Sequence, residues 1–70
     1  MVTYEQAREA MLCDLQIVTR DGLIYRRIVE LRERYDRASH KWSLALVLQD
    51  VHRSDSFTLV DANMVTTVPV

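Results

Sequence analysis

The seventy residues include one glycine, one proline and one cysteine. With Cys13 alone, no disulfide closes within the chain. With Gly22 alone, no glycine-rich loop exists to cradle a phosphate. His40 and His52 are the only histidines, and both stand far from Cys13, so no Cys/His set has zinc spacing. No metal and no cofactor is expected. An apolar run long enough to cross a membrane is missing. Glu5, Arg8, Glu9 and Asp14 interrupt the N-terminal stretch, which excludes a signal-peptide core there. The expected location is the cytoplasm, where a lone thiol is ordinary. Charge of one sign is also missing: the net charge is −1 and the pI is about 6.0. Any nucleic-acid contact must therefore come from a local cluster.

Catalytic sets are equally scarce. Asp50, His52, Ser54 and Asp55 cluster in sequence, but no second cluster completes a site. Such residues are common in a turn at a strand end. The expectation is a non-enzyme with no small-molecule substrate.

What the chain does have is apolar content, at 49%. A domain of this size buries little of its surface and often needs a staple or a partner chain. With disulfide and zinc excluded, association with further copies is the expected source of extra stability.

Local patterns divide the chain. Thr3 followed by Gln6 is a capping box, with Val2 and Ala7 placed for a hydrophobic staple. Tyr4, Ala7, Ala10 and Met11 share one helical face, which predicts a helix over about 3–13. Residues 15–19 are rich in β-branched side chains and read as a strand. Asp21-Gly22 is a hairpin signal, with the glycine supplying positive φ. Segment 42–51 alternates Trp42, Leu44, Leu46 and Leu48 against Ser43, Ala45, Val47 and Gln49, a strand with one apolar face. Two short strands follow at 56–60 and 64–68, joined by Asp61-Ala62-Asn63 and stopped by Pro69.

Segment 23–36 is ambiguous. As a strand it alternates imperfectly. As a helix it carries a stripe of Ile24, Ile28, Leu31 and Tyr35, with Arg26–Glu30 and Glu30–Arg34 as i,i+4 pairs. Propensity favours the helix, and the preceding hairpin turn favours the strand. The strand reading gives a mainly β fold: an N-terminal helix, then a strongly bent five-stranded antiparallel sheet forming a small barrel over residues 1–70, as one domain.

On these elements the chain resembles the Sm-like (LSm and Hfq-like) family across about residues 3–69. Asp21-Gly22 followed by Leu23-Ile24-Tyr25-Arg26 is similar to the Gly turn that opens the family's second strand. Tyr35-Asp36 resembles the aromatic-Asp pair that ends it. Residues 46–51 (LVLQDV) resemble the third strand, and Thr67-Val68-Pro69 resembles the end of the fifth. Three positions depart from the pattern. Arg27 stands near the second glycine, Ser43 or Ala45 replaces the Asn before strand three, and Asp61-Ala62-Asn63 replaces the basic signature between strands four and five.

The resemblance implies a cyclic homo-oligomer in which strand four of one copy pairs with strand five of the next. Phe57, Leu59, Met64, Val65 and Val68 would then lie at the subunit interface. It also implies pore loops that contact single-stranded RNA, with Arg37 and Lys41 on phosphates, His40 or Trp42 stacking on bases, and Asp36, Asp61 and Asn63 beside them. Each residue also has a plainer reading. His40 is a solvated turn residue, Trp42 an anchor in a core or interface, and Asp61 and Asn63 satisfy their own turn. The arginines at 26, 27, 32, 34 and 37 form the one basic concentration, and Glu30 and Glu33 dilute it. Cys13, beside Asp14, reads as a small apolar residue.

Two other architectures fit the residues. One is an SH3-like small barrel that binds proteins without nucleic acid. The other has helices at about 3–13 and 23–38 packed on three strands.

Overall fold

The computed structural model describes residues 2–67. It is mainly β with one N-terminal helix. Helix α1 spans Tyr4–Leu12. The strands are β1 (Ile17–Thr19), β2 (Ile24–Tyr25), β3 (Arg27–Asp36), β4 (Lys41–Gln49), β5 (Phe57–Asp61) and β6 (Val65–Thr67), with a 3-10 turn at Ala62–Met64 before β6.

The capping box forms as the sequence predicts. Thr3 Oγ1 accepts from the Gln6 amide at 3.2 Å, and Gln6 Oε1 accepts from the Thr3 amide at 3.0 Å. Ala7 and Ala10 are buried, and Met11 packs partly against the same core; Tyr4 stays exposed. At the other end, the Leu15 amide reaches the Ala10 carbonyl at 2.9 Å and the Asp14 amide reaches Met11 at 3.3 Å. That pair of bonds is a Schellman cap, and Asp14 takes the left-handed position with φ of 53°. The cap uses Leu15, so the strand expected from residue 15 starts only at Ile17.

Gly22 has φ of 86°, as its place after Asp21 predicts. The Thr19 amide bonds to the Leu23 carbonyl at 2.9 Å, and the Gly22 amide to Thr19 at 3.0 Å. This is the three-residue hairpin loop with its glycine in the left-handed region. Thr19, a buried polar residue, is satisfied locally: its hydroxyl accepts from the Leu23 amide at 3.1 Å and donates to Asp21.

Segment 23–36 is extended, which removes the two-helix architecture. It is not one strand, however. The chain changes partner at Arg26: β2 pairs with β1, and β3 pairs with β4. The result is two three-stranded sheets, ordered β2-β1-β6 and β3-β4-β5, in place of the expected single bent five-stranded sheet, and no barrel closes. The segment has no glycine to relieve crowding in a smooth sharp bend. Direction is changed instead by a break at Arg26 and a bulge at Val29.

One apolar cluster holds the layers together. Ile17 and Val65 come from the first sheet, Ile28, Leu46 and Leu48 from the second, and Val2, Ala7 and Ala10 from the N-terminal segment. The largest fully buried side chains are Ile17, Ile28, Leu46, Leu48 and Val65. Burial of each such side chain contributes about 1.5–3 kcal/mol.

Candidate functional site

β3 and β4 continue past the core as a two-stranded arm. Residues 32–43 are exposed throughout, and the long axis reaches 38 Å against 24 and 23 Å for the others. Along β4 burial falls stepwise from Leu48 and Leu46 through a half-buried Leu44 to Trp42, which is 70% exposed. Trp42 is thus not a core anchor. Its apolar stripe simply outruns the cluster it belongs to.

The arm's tip is ordered by its own residues. Asp36 pairs with Lys41 in register, and the loop 37–40 joins them. The Asp36 carboxylate accepts from the Ala38 amide at 3.0 Å and from the Ser39 hydroxyl at 2.9 Å. The Ser39 hydroxyl and then the Ala38 amide hold its pKa below the usual carboxylate value. His40 closes the loop with φ of 54°. Its Nδ1 is hydrogen-bonded to the Tyr35 hydroxyl at 3.0 Å. Tyr35 faces Trp42 across the hairpin, with ring centroids 5.0 Å apart and planes tilted by 48°. His40, Tyr35 and Trp42 therefore form one connected row, open to solvent. Arg37 lies in the loop beyond the row, while Arg34 and Lys41 alternate onto the opposite face of the hairpin; all three are exposed and without an ion pair among the described residues.

A cleft of about 470 Å³ lies at the arm's base. Tyr4 at the start of α1, Trp42 and Leu44 from β4, Glu33 from β3, and Asp61 and Asn63 from the 3-10 turn line it. Glu33 sits opposite Leu44 and shares the sheet face of Tyr35 and Trp42. Asp61 caps the 3-10 turn, accepting from the Asn63 amide at 3.4 Å.

The expected site residues thus divide. Asp36, Arg37, His40 and Lys41 gather at the tip. Trp42 meets Asp61 and Asn63 in the cleft. Tyr35, Glu33 and Tyr4 also belong to this surface, although the sequence patterns that contain them assign them no site role. The signal that could have found them is register: a closed hairpin loop at 37–40 sets Tyr35 opposite Trp42. Of the expected interface residues, Phe57, Leu59 and Met64 are exposed. Val65 is not; it is fully enclosed in the chain's own core, because it faces inward opposite Thr19. Val68 lies outside the described residues. Cys13 is exposed and takes no part in the core.

Elsewhere, Asp50 is a turn residue. It accepts from the His52 and Arg53 amides at 2.9 and 2.8 Å, and these bonds lower its pKa. On β3, Arg32 reaches Glu30 at 3.4 Å, an exposed pair worth little. Among the described residues no group of three or more His, Cys, Asp or Glu could hold a metal ion, and no helix is long and apolar enough to cross a membrane. No family model, no curated protein and no solved structure matches the chain.

Proposed function

We propose that this chain is a divergent Sm-like subunit that assembles with copies of itself through the free edges of β5 and β6. The carrying observation is where those edges fall and what they hold. β5 and β6 each pair on one side only among the described residues, with β4 and β1 respectively. With strand orders β2-β1-β6 and β3-β4-β5, each of these two consecutive strands is an edge strand of its own sheet, and the short turn at Ala62–Met64 joins them. β5 has no charged residue from Phe57 to Val60, and Phe57 and Leu59 are about half exposed. The other long outer strand, β3, carries Glu30, Arg32, Glu33 and Arg34. Charges on an edge discourage pairing with another chain, and their absence invites it. An edge that pairs head to tail with a different edge generates a ring when the rotation closes. Light scattering tests this directly: a mass several times 8.2 kDa is expected. A monomer at micromolar concentration rejects assembly and leaves the SH3-like interaction module, with β5 as a free edge for another protein.

A second reading concerns the ligand. The tilted Tyr35–Trp42 pair, with Arg37 in the loop beyond it and Arg34 and Lys41 on the reverse face of the same hairpin, has the composition of a platform for single-stranded RNA, on which bases stack while cations neutralise phosphates. Filter binding with U-rich and A-rich oligomers should show affinity that falls as salt rises. No retention at low salt discards it.

A further inference from the structure

The cleft at the base of the arm has a different chemistry from the tip. None of its described lining residues is Lys, Arg or His, whereas Glu33 and Asp61 are both acidic. Glu33 has no ion-pair partner among the described residues. Two aromatic side chains, Tyr4 and Trp42, stand in the same lining. Trp42 is fixed on one side by Tyr35 at 5.0 Å, and Tyr35 is in turn held by His40.

Electron-rich ring faces beside unpaired carboxylates attract organic cations and repel phosphates. The floor adds apolar contact from Leu44 and buried Ala62, suited to methyl or methylene groups. Guanidinium prefers bidentate pairing with a carboxylate. Asp61 already spends one oxygen on the Asn63 amide, which leaves Glu33 as the carboxylate free for such a pair, whereas the two aromatic rings and the apolar floor suit the methyl or methylene groups of an alkylammonium. We propose that the cleft between α1, the arm and the 3-10 turn binds an alkylammonium group, with Trp42 and Tyr4 as aromatic walls and Glu33 as the principal counter-charge. The site lies within one copy of the chain and does not depend on self-association or on RNA binding at the tip.

Trp42 is the only tryptophan, so intrinsic fluorescence reports on this cleft. The experiment titrates the full chain with tetramethylammonium chloride and, separately, with an acetylated and amidated Gly-Lys-Gly peptide, each at constant ionic strength against sodium chloride. A saturable change in Trp42 emission with either probe upholds the ammonium site. Response to tetramethylammonium alone assigns it to free organic cations, and response to the peptide alone assigns it to lysine side chains of a partner protein. Glu33→Gln should weaken the responding probe by roughly three- to tenfold. Glu30→Gln, on the opposite face and paired with Arg32, should leave it unchanged. Far-ultraviolet circular dichroism establishes that both variants fold; should Glu33→Gln fail to, Tyr4→Leu replaces it with the same expected loss. The proposal is overturned if neither probe gives a saturable change, if the folded Glu33→Gln protein responds like the parent, or if only an RNA oligomer saturates the Trp42 signal.

Discussion

Ile28 and Leu31 lie three residues apart on one strand, yet both face the same side, opposite Leu48 and Leu46 of β4. The bulge at Val29 makes this possible. It adds one residue to β3 without a partner, so the two-residue alternation is locally stretched to three. Of the stripe Ile24, Ile28, Leu31, Tyr35 that imitates a helix in the sequence, the last three share one face of a bulged strand, buried at Ile28 and exposed at Tyr35, while Ile24 lies in β2.

The core on either side of that bulge should be intolerant of truncation. Leu46 and Leu48 are fully buried. Leu46→Ala or Leu48→Ala is expected to lose about 2–5 kcal/mol, a large part of the total for a domain this small. Urea denaturation should find these variants largely unfolded without denaturant. Trp42→Ala, at an exposed position, should lose no more than about 0.5–1.5 kcal/mol, from the ring contact with Tyr35.

The left-handed positions predict opposite signs. A Cβ added at Gly22 would meet nothing within 4 Å, so Gly22→Ala suffers only from the φ of 86°. The expected loss is about 1–2 kcal/mol. Asp14 holds the same region without being glycine, and its contact with the half-buried Arg27 is long, at 3.5 Å, and exposed at the Asp14 end, so it is worth little. Asp14→Gly should therefore be neutral or stabilising by up to about 1 kcal/mol. Thermal melts of the two variants should move in opposite directions, or Asp14→Gly should stay level.

Removing the helix cap isolates a single end effect. Thr3→Ala deletes the hydroxyl that satisfies the Gln6 amide and should destabilise by about 1 kcal/mol. Helical circular dichroism should fall with the melt, while Thr3→Ser should retain most of the stability.

Acid should loosen two turns together. Asp36 and Asp50 both have folded pKa values below the usual carboxylate value, through bonds to Ser39 and Ala38 in one case and to His52 and Arg53 in the other. A lowered folded pKa means that the bonds are fully present above the unfolded value and are lost as pH falls through the folded one. Amide exchange at Ala38, His52 and Arg53 should therefore be protected near neutrality beyond its intrinsic pH trend and lose that protection only as pH falls below the ordinary carboxylate range. Asp36→Asn should remove the pH dependence at Ala38 and leave that at His52 intact.

The β5 edge gives a test of assembly separate from the core. Leu59 is about half exposed and has Asp61 as the nearest charge on its own strand. Leu59→Lys should lower the mass seen by light scattering toward that of one chain, with the fold retained, because a charge on the edge opposes strand addition.

Local chemistry made much of this molecule legible from residues alone. The Thr3–Gln6 box, the turn at Gly22 and the alternating face of β4 depend on neighbours within a few positions, and each forms where its pattern lies. Val65 and Trp42 mark the limit of such patterns. Both are apolar residues of strands, but one is sealed in the core and the other stands in solvent, because only the spatial order of the strands determines where the apolar cluster ends. The cleft belongs to the same class: Tyr4, Glu33, Trp42 and Asp61 come from four separate stretches, and no spacing links them. Sequence by itself determined the N-terminal helix with its Thr3–Gln6 cap, the turn at Gly22 and the alternation along β4, since these follow from local sterics and hydrogen bonding; it left segment 23–36 open between strand and helix. Tertiary structure alone decided the partner change at Arg26, the division into two sheets and the free edges, since a strand's partners are set by long-range pairing and by which bend the backbone can make without a glycine.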